Sequence, residues 1–337
     1  MSKKAILFPG QGAQAVGMGR DMAEAFPECR ALFDRAGSVL GYDLAKICFE
    51  GPIETLTISA HAQPGIFVAS MACWTAMREQ RPDAAFDFAA GLSSGEWTAL
   101  HVAGVVSFED TLKVLDARGK FMQQACEERP GGMLCVIGAD RPTLEEICGQ
   151  AGIQMANMNS PEQTVLSGPK EGIDAAEKLA APLGIKKAIR LNVAGAFHSA
   201  LMKAAADRLA GVLQSIEFKP AQFPVLSNVV GRPHGAPESI RGKMVEQVYS
   251  SVQWVLSVEW LKQQGVTEYL ECGPGKVLTG LVKRIDKTAK LHSIQDRLGL
   301  DALERWSVGA WERGSVERRS AYALTLKRSG RSDTNKI

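Results

Sequence analysis

Seven cysteines are scattered along the 337-residue chain (Cys29, Cys48, Cys73, Cys126, Cys135, Cys148, Cys272), with no C-x-x-C pair among them. An odd, dispersed set builds neither a disulfide framework nor a tetrahedral zinc site, and it reads as free thiols in a reducing compartment. Runs of Lys and Arg interleaved with aromatics are missing, and 39 basic against 37 acidic residues leave a net charge of only +2. That balance carries no nucleic-acid signature. No apolar stretch approaches the ~20 residues that cross a bilayer. The run behind the basic start, Ala5–Phe8, stops at Pro9, too short for the core of a secretory signal. No internal repeat is visible. These absences lead to the expectation of a cytoplasmic protein with no metal, nucleic-acid or membrane partner.

What is present is the composition of a large globular core: 45% hydrophobic, 23% charged, with 33 glycines. Ala5–Phe8 has the continuous apolar character of a buried parallel strand. The glycine loop Pro9–Gln14 follows, then helical patterns around Arg20–Phe26 and Arg30–Leu40, a break at Gly51-Pro52, and a buried helix over Gln63–Arg78. A helix over Phe108–Cys126 precedes Pro130-Gly131-Gly132. Strand and helix alternate, the pattern of an α/β architecture. Residues 131–192 have their own rhythm: strand Met133–Gly138, helix Arg141–Gln150, strands Ile153–Asn157 and Thr164–Gly168, helix Glu171–Leu183 and strand Lys187–Asn192. That β-α-β-β-α-β order predicts an inserted ferredoxin-like small domain. Beyond it come the helix Ala200–Ile216, strand Val225–Asn228, helices Ile240–Tyr249 and Ser257–Gln264, strand Glu268–Cys272 and a helix from Gly275. The large domain is therefore read as 1–130 with 193–295. Residues 296–337 form a C-terminal extension; from Arg297 they hold nine Lys and Arg against five Asp and Glu, and they read as partly disordered.

Chemistry is first suggested by Phe86–Leu100. A short apolar segment runs through Gly91-Leu92-Ser93-Ser94-Gly95 into a helical pattern, the strand, turn and helix context of a G-x-S-x-G nucleophile elbow. The flanking glycines suit a crowded turn, and a helix N-terminus favours developing negative charge. The alternative is a serine-rich loop that caps a helix. A serine nucleophile needs a base, and histidine is scarce: His61, His101, His198, His234 and His292. His101 falls on the elbow helix and is expected against the core, His234 in a Gly/Pro-flanked loop, and His292 near the tail. His198 alone sits at a strand-to-helix junction among small neighbours, and its alternative is a hydrogen-bonded structural ring.

Five motifs occur in order: Phe8-Pro9-Gly10-Gln11-Gly12-Ala13-Gln14, the elbow at Ser93, Arg118-Gly119-Lys120-Phe121-Met122-Gln123, Gly195-Ala196-Phe197-His198-Ser199, and Gly273-Pro274-Gly275-Lys276-Val277-Leu278. Together they resemble the malonyl-CoA:acyl-carrier-protein transacylase family of fatty-acid synthesis, related to polyketide synthase acyltransferase domains, over roughly residues 3–295. The resemblance implies an α/β-hydrolase-like large domain with a mostly parallel sheet and a ping-pong acyl transfer. Ser93 would be the nucleophile and His198 the base, the oxyanion resting on the N–H groups of Gln11 and Ser94. The main chain of Gln247 would orient His198. Malonyl-CoA and the phosphopantetheine arm of acyl carrier protein, an acidic and transient partner, would be the substrates of a monomer with no bound cofactor. Arg118 would hold the malonyl carboxylate, because a desolvated carboxylate asks for a fixed bidentate cation and guanidinium fits where ammonium does not. Phe197 would leave little room for an α-methyl group. Met122, Gln63, Asn157 and Asn159 match substrate-contact positions; for Gln63 and the asparagines the plain alternative is a turn or strand-end residue satisfying backbone.

Three positions depart from the family pattern: Leu92 where histidine is usual, Ser94 where an aliphatic residue is usual, and His61 where glutamine is common. Rival readings fare less well. Gly10–Ala15 fits G-x-G-x-x-A, but the acidic residue expected at a second strand end is missing, since Asp34 falls in a helical pattern. An ester hydrolase shares the elbow but expects its histidine late in the chain and gives Arg118 no task. Gly273-Pro274-Gly275-Lys276 lacks the spacing of a phosphate loop.

Overall fold

The computed structural model describes residues 2–303. Its strands are β1 (Lys3–Phe8), β2 (Phe88–Gly91), β3 (Gly131–Ile137), β4 (Gln154–Ser160), β5 (Gln163–Pro169), β6 (Lys187–Arg190), β7 (Leu226–Ser227), β8 (Arg232–Pro233), β9 (Val266–Cys272) and β10 (Lys290–Ile294). One sheet is parallel throughout, in the order β10-β9-β1-β2. From Ala5 onward β1 reads as an unbroken apolar run, and β2 (Phe-Ala-Ala-Gly) likewise, because both faces are covered. Along β1, Ile6 and Phe8 enter a core shared with the helices Pro27–Leu40, Ser59–Gln80, Phe108–Glu128 and Lys203–Leu213. Ala5 and Leu7 face the other way, towards Trp254–Gln263 and Val277–Ile285. The protein is thus α/β with a parallel sheet.

The second sheet is antiparallel, in the order β4-β5-β3-β6. The helices Arg141–Ala151 and Lys170–Ala180 cover one face through Leu134, Val136, Ile147, Leu166 and Ile173. Met133, Cys135, Ala156 and Val165 on the same strands join the large core instead. The β4 strand is tied to the main body where Val252 N–H donates to Ala156 O (2.7 Å) and Met158 N–H to Val252 O (3.0 Å).

Several elements differ from the sequence reading. The buried helix starts at Ser59 and carries Pro64 at its sixth position; the missing N–H leaves Ala60 O without its usual donor, and Tyr42 Oη donates to that oxygen instead at 3.2 Å. The strand expected over Val225–Asn228 shortens to β7, and the edge strand β10 was not anticipated. Within the stretch read as a C-terminal extension, Arg297–Leu303 is helical with Leu300 and Leu303 buried, and Arg81 donates to Leu303 O at 2.9 Å. The remainder of that stretch, 304–337, lies outside the described residues.

Candidate active site

The site stands at the C-terminal ends of β1 and β2, where a parallel sheet offers its loops to a ligand. Phe8 is paired with Gly91, and Leu92 N–H donates to Phe8 O at 3.1 Å, so the glycine loop and the elbow leave the sheet side by side. The turn demands glycine by close approach. A Cβ on Gly91 would lie 2.0 Å from the carbonyl carbon of Gly95, and one on Gly95 would lie 2.2 Å from Phe8 O. The helix Gly95–Val102 therefore starts directly against the end of β1, with Ser93 on the corner.

Ser93 has φ 55° and His198 φ 56°, the two positive-φ residues other than glycine among the described residues. Left-handed backbone costs a non-glycine residue about 1–3 kcal/mol and persists where surroundings enforce it, often at functional sites. Here the two strained residues meet: Ser93 Oγ lies 2.8 Å from His198 Nε2. His198 Nδ1 lies 2.9 Å from the main-chain O of Gln247, which must accept, so the proton sits on Nδ1 and Nε2 presents its lone pair to the hydroxyl. Burial, reinforced by the Arg118 charge, lowers the His198 pKa to about 4. The ring is therefore an unprotonated base at neutral pH.

Arg118 projects from the helix Phe108–Glu128 and is 1% exposed. It donates from Nη1 to Gln63 Oε1 (2.7 Å) and from Nη2 to Ser93 Oγ (3.2 Å) and Gln247 Oε1 (3.0 Å). Desolvation lowers its pKa to about 10 against support from Glu96, which leaves it charged at neutral pH. Its Nε is buried with no partner. Ser93 Oγ is thus placed to donate to His198 Nε2 while it accepts from the Arg118 guanidinium.

The other expected residues divide. Gln63 is buried in the group and reaches Gln11 Oε1 (3.2 Å) and Met122 Sδ (3.7 Å). Gln11 N–H donates to Ser94 Oγ at 3.2 Å. Phe197 is buried beside the base in the large core. Asn157 and Asn159 lie on β4, which touches Val252, and neither is hydrogen-bonded to Ser93, His198 or Arg118. Of the remaining histidines, His101 packs in the core, its Nδ1 2.9 Å from Val106 O, and His61 bonds Thr55 O (2.9 Å).

Two residues went unread in the sequence. Asn228, at the end of β7, accepts from Ser93 N–H (2.6 Å) and donates to Gly91 O (2.7 Å), bracketing the elbow from both sides. Glu96, fully buried, accepts from Gln247 Nε2 (2.7 Å), Asn228 N–H (3.1 Å) and His234 Nε2 (2.6 Å). Placement of the strand before Asn228 next to β2 was the signal available for it; Glu96 looked like an ordinary acidic residue in a first helical turn. Among the described residues no group of three or more His, Cys, Asp or Glu could hold a metal ion.

Comparison with known proteins agrees with this layout. The family model described as acyl transferase domain matches residues 6–284. The malonyl CoA-acyl carrier protein transacylase of Bacillus subtilis is 40% identical over 301 residues, covering 88% of this chain and 94% of the relative. The Escherichia coli protein of the same name is 40% identical over 300 residues, covering 88% and 97%. An acyl carrier protein S-malonyltransferase from Vibrio cholerae superposes with TM-score 0.86 at 40% identity, over 90% of this chain and 100% of that one. A malonyl-transacylase solved with a type II polyketide acyl-carrier protein gives TM-score 0.86 at 40% identity, over 89% and 98%. With a strained serine on the elbow, a histidine base and a buried arginine in one group, and with this breadth of match, the chain belongs to the acyl transferase domain family.

Proposed function

We propose that this protein is an S-malonyltransferase, carrying a malonyl group from malonyl-CoA to the phosphopantetheine thiol of acyl carrier protein through an acyl-enzyme on Ser93, and so supplying extender units for fatty-acid synthesis. The observation that carries this reading is Ser93 Oγ itself, 2.8 Å from the base His198 and 3.2 Å from the buried cation Arg118. The names of the relatives support it.

In the first half-reaction His198 Nε2 takes the proton as Ser93 Oγ attacks the thioester carbon. The tetrahedral oxyanion is received by the main-chain N–H groups of Gln11 and Ser94; such donors are each worth about 3–4 kcal/mol of barrier. Collapse breaks the carbon–sulfur bond, and CoA thiolate takes the proton back from His198. In the second half the phosphopantetheine thiol gives its proton to His198 and attacks the acyl ester, and Ser93 leaves with that proton. The unpartnered Nε of Arg118, beside its Nη groups, supports a bidentate grip on the malonyl carboxylate. Phe197 disfavours an α-methyl substituent, by about 1–3 kcal/mol for one methyl. Gln63, Met122, Asn157 and Asn159 are taken as further substrate contacts.

The same reading gives the architecture its finer names. The β-α-β-β-α-β connectivity and β4-β5-β3-β6 order support a ferredoxin-like small domain at 131–192, inserted into an α/β-hydrolase-like domain of 1–130 and 193–295. Free, mostly buried thiols support a cytoplasmic setting. We take the protein as a monomer that needs no bound cofactor and meets an acidic carrier protein transiently. A polyketide carrier protein is the second reading of the acceptor, favoured by the complex of the similar malonyl-transacylase. Hydrolysis of neutral esters would leave Arg118 without a task.

The test is intact-protein mass spectrometry after incubation with malonyl-CoA. Wild type gains one malonyl mass, which holo carrier protein then removes, while Ser93→Ala gains none. Labelled Ser93→Ala would refute the nucleophile. Discharge to water at the rate seen with carrier protein would refute the transferase. Offering fatty-acid and polyketide carrier proteins in parallel separates the two acceptors.

A further inference from the structure

Beneath the reacting atoms lies a buried layer that the transfer chemistry above does not use. Glu96 is 0% exposed and meets three donors: His234 Nε2 at 2.6 Å, Gln247 Nε2 at 2.7 Å and Asn228 N–H at 3.1 Å. That is the surrounding of a carboxylate, which only accepts. His234 Nδ1 is buried without a partner. The ring therefore meets this layer through Nε2, which donates to an oxygen that can only accept. Glu96 therefore supplies the negative charge of this layer, and Arg118 the positive one. The two do not touch. Between them lies the side chain of Gln247, which accepts from Arg118 Nη2 (3.0 Å) and donates to Glu96 Oε2 (2.7 Å) and Ser93 O (2.9 Å).

An amide has two unlike ends, and a guanidinium and a carboxylate accept only one arrangement of them. Arg118 can only donate, so it requires the carbonyl end; Glu96 and Ser93 O can only accept, so they require the NH2 end. We propose that Glu96, backed by His234, is a positioning residue for malonyl selection. It locks the Gln247 amide with its oxygen towards Arg118 and thereby holds the guanidinium in register with Ser93 and His198. The main chain of the same Gln247 holds His198 Nδ1, so one residue ties the carboxylate clamp to the base. Replacing a Glu96 oxygen by nitrogen sets a donor against a donor, or forces a proton onto the unpartnered His234 Nδ1. A turned amide would aim its NH2 at Arg118 and displace it. Acetyl transfer, which makes no use of the guanidinium as an anion clamp, should be affected far less.

The inference rests on the malonyl-transfer reading, and the experiment keeps the two separable. Acylation by malonyl-CoA and by acetyl-CoA is followed by rapid quench and intact mass for wild type, Glu96→Gln, Glu96→Asp and Gln247→Met, with folding checked by circular dichroism and melting. A wild type that takes no malonyl label overturns the reading itself. With the label present, Glu96→Gln should lower the malonyl-to-acetyl ratio of kcat/KM by about tenfold or more, mainly through KM for malonyl-CoA. Glu96→Asp, which keeps the carboxylate but is shorter, should fall between wild type and Glu96→Gln. A merely structural role predicts the reverse, because Gln preserves shape better than Asp. Gln247→Met keeps the main-chain acceptor for His198 and deletes the amide, so it should show the same loss of malonyl preference. It decides the matter if the Glu96 variants do not fold. An unchanged ratio in Gln247→Met, or equal loss of malonyl and acetyl transfer in Glu96→Gln, would overturn the inference.

Discussion

On one side of Ser93 stand buried side chains from four segments, Gln63, Arg118, Gln247 and Glu96, each bonded to the next. On the other side stands a glycine loop whose Gln11 is half-buried and whose proposed contribution to the reaction is a main-chain N–H. The difference separates two tasks. Recognising a carboxylate needs a charge fixed in place, and a buried charge stays fixed only when each neighbour is itself held. Stabilising an oxyanion needs donors at one point, which backbone supplies whatever side chains the loop carries. Side-chain substitutions should therefore alter substrate choice on the first side, and backbone changes should alter rate on the second.

The strongest way to break that contrast is Arg118→Ala. Removing one partner of a buried charged pair costs about 3–5 kcal/mol, so kcat/KM for malonyl-CoA should fall about a thousandfold. Acetyl-CoA should lose less than about tenfold in the same acylation assay, since that substrate brings no carboxylate to pair. Equal losses would remove Arg118 from substrate recognition and leave it a structural cation.

Gly10→Ala tests the opposite side. A Cβ there would sit 2.1 Å from Leu92 O, so the loop must lift off the elbow and carry the Gln11 N–H with it. Loss of one oxyanion donor typically costs about 10²-fold or more in kcat. Stopped-flow acylation should show about that fall for malonyl and acetyl alike, with their ratio unchanged. A shift in the ratio would mean that the loop, too, reads the substrate.

The third contrast is with pH. Burial and the Arg118 charge lower the His198 pKa to about 4, so the base stays unprotonated through pH 5. The acid limb of kcat/KM should lie near that value; an ordinary histidine near 6.5 would already have lost about thirtyfold at pH 5. Stability follows the same sign. The unfolded ring binds a proton below about 6.5 and the folded ring does not until about pH 4. Stability contributed by the neutral ring is thus present above pH 6.5 and lost as pH falls towards 4. In His198→Ala a urea-melt series should lose that part of the acid destabilisation. A limb at pH 6.5 would mean that the ring is wetter than its burial indicates.

The same division marks what was legible in the sequence. Apolar runs such as Ala5–Phe8 announced the parallel core, because strands covered on both faces need no alternation. The edge strand Lys290–Ile294, half wet and mixed in character, had no such signal. Ser93 was legible because its turn excludes side chains at Gly91 and Gly95. His198, Arg118 and Gln11 lie within the five ordered motifs, whereas Gln247 lies in none of them and was matched only through the family resemblance. The supporting layer stayed hidden. Glu96 in a first helical turn, Asn228 at a strand end and His234 between Pro233 and Gly235 are each common on surfaces. What makes them functional is that chain segments some 130–150 residues apart bury them against one another, and no local pattern encodes that.

Ser94 gives the smallest and finest test. Its hydroxyl occupies the Gln11 N–H in the resting enzyme, at 3.2 Å, and must turn aside before that donor can hold an oxyanion. A neutral hydrogen bond of this kind is worth about 1 kcal/mol net. Ser94→Ala keeps the Ser94 N–H, because that donor belongs to the main chain, and frees the Gln11 N–H. Acylation should therefore quicken, by at most about fivefold, equally for malonyl and acetyl, with the malonyl preference held by Arg118 untouched. If Ser94→Ala instead slows both, the hydroxyl must turn to donate to the oxyanion and belongs with the donors. If only malonyl transfer changes, the hydroxyl reaches the carboxylate clamp, and the two sides of Ser93 are not independent.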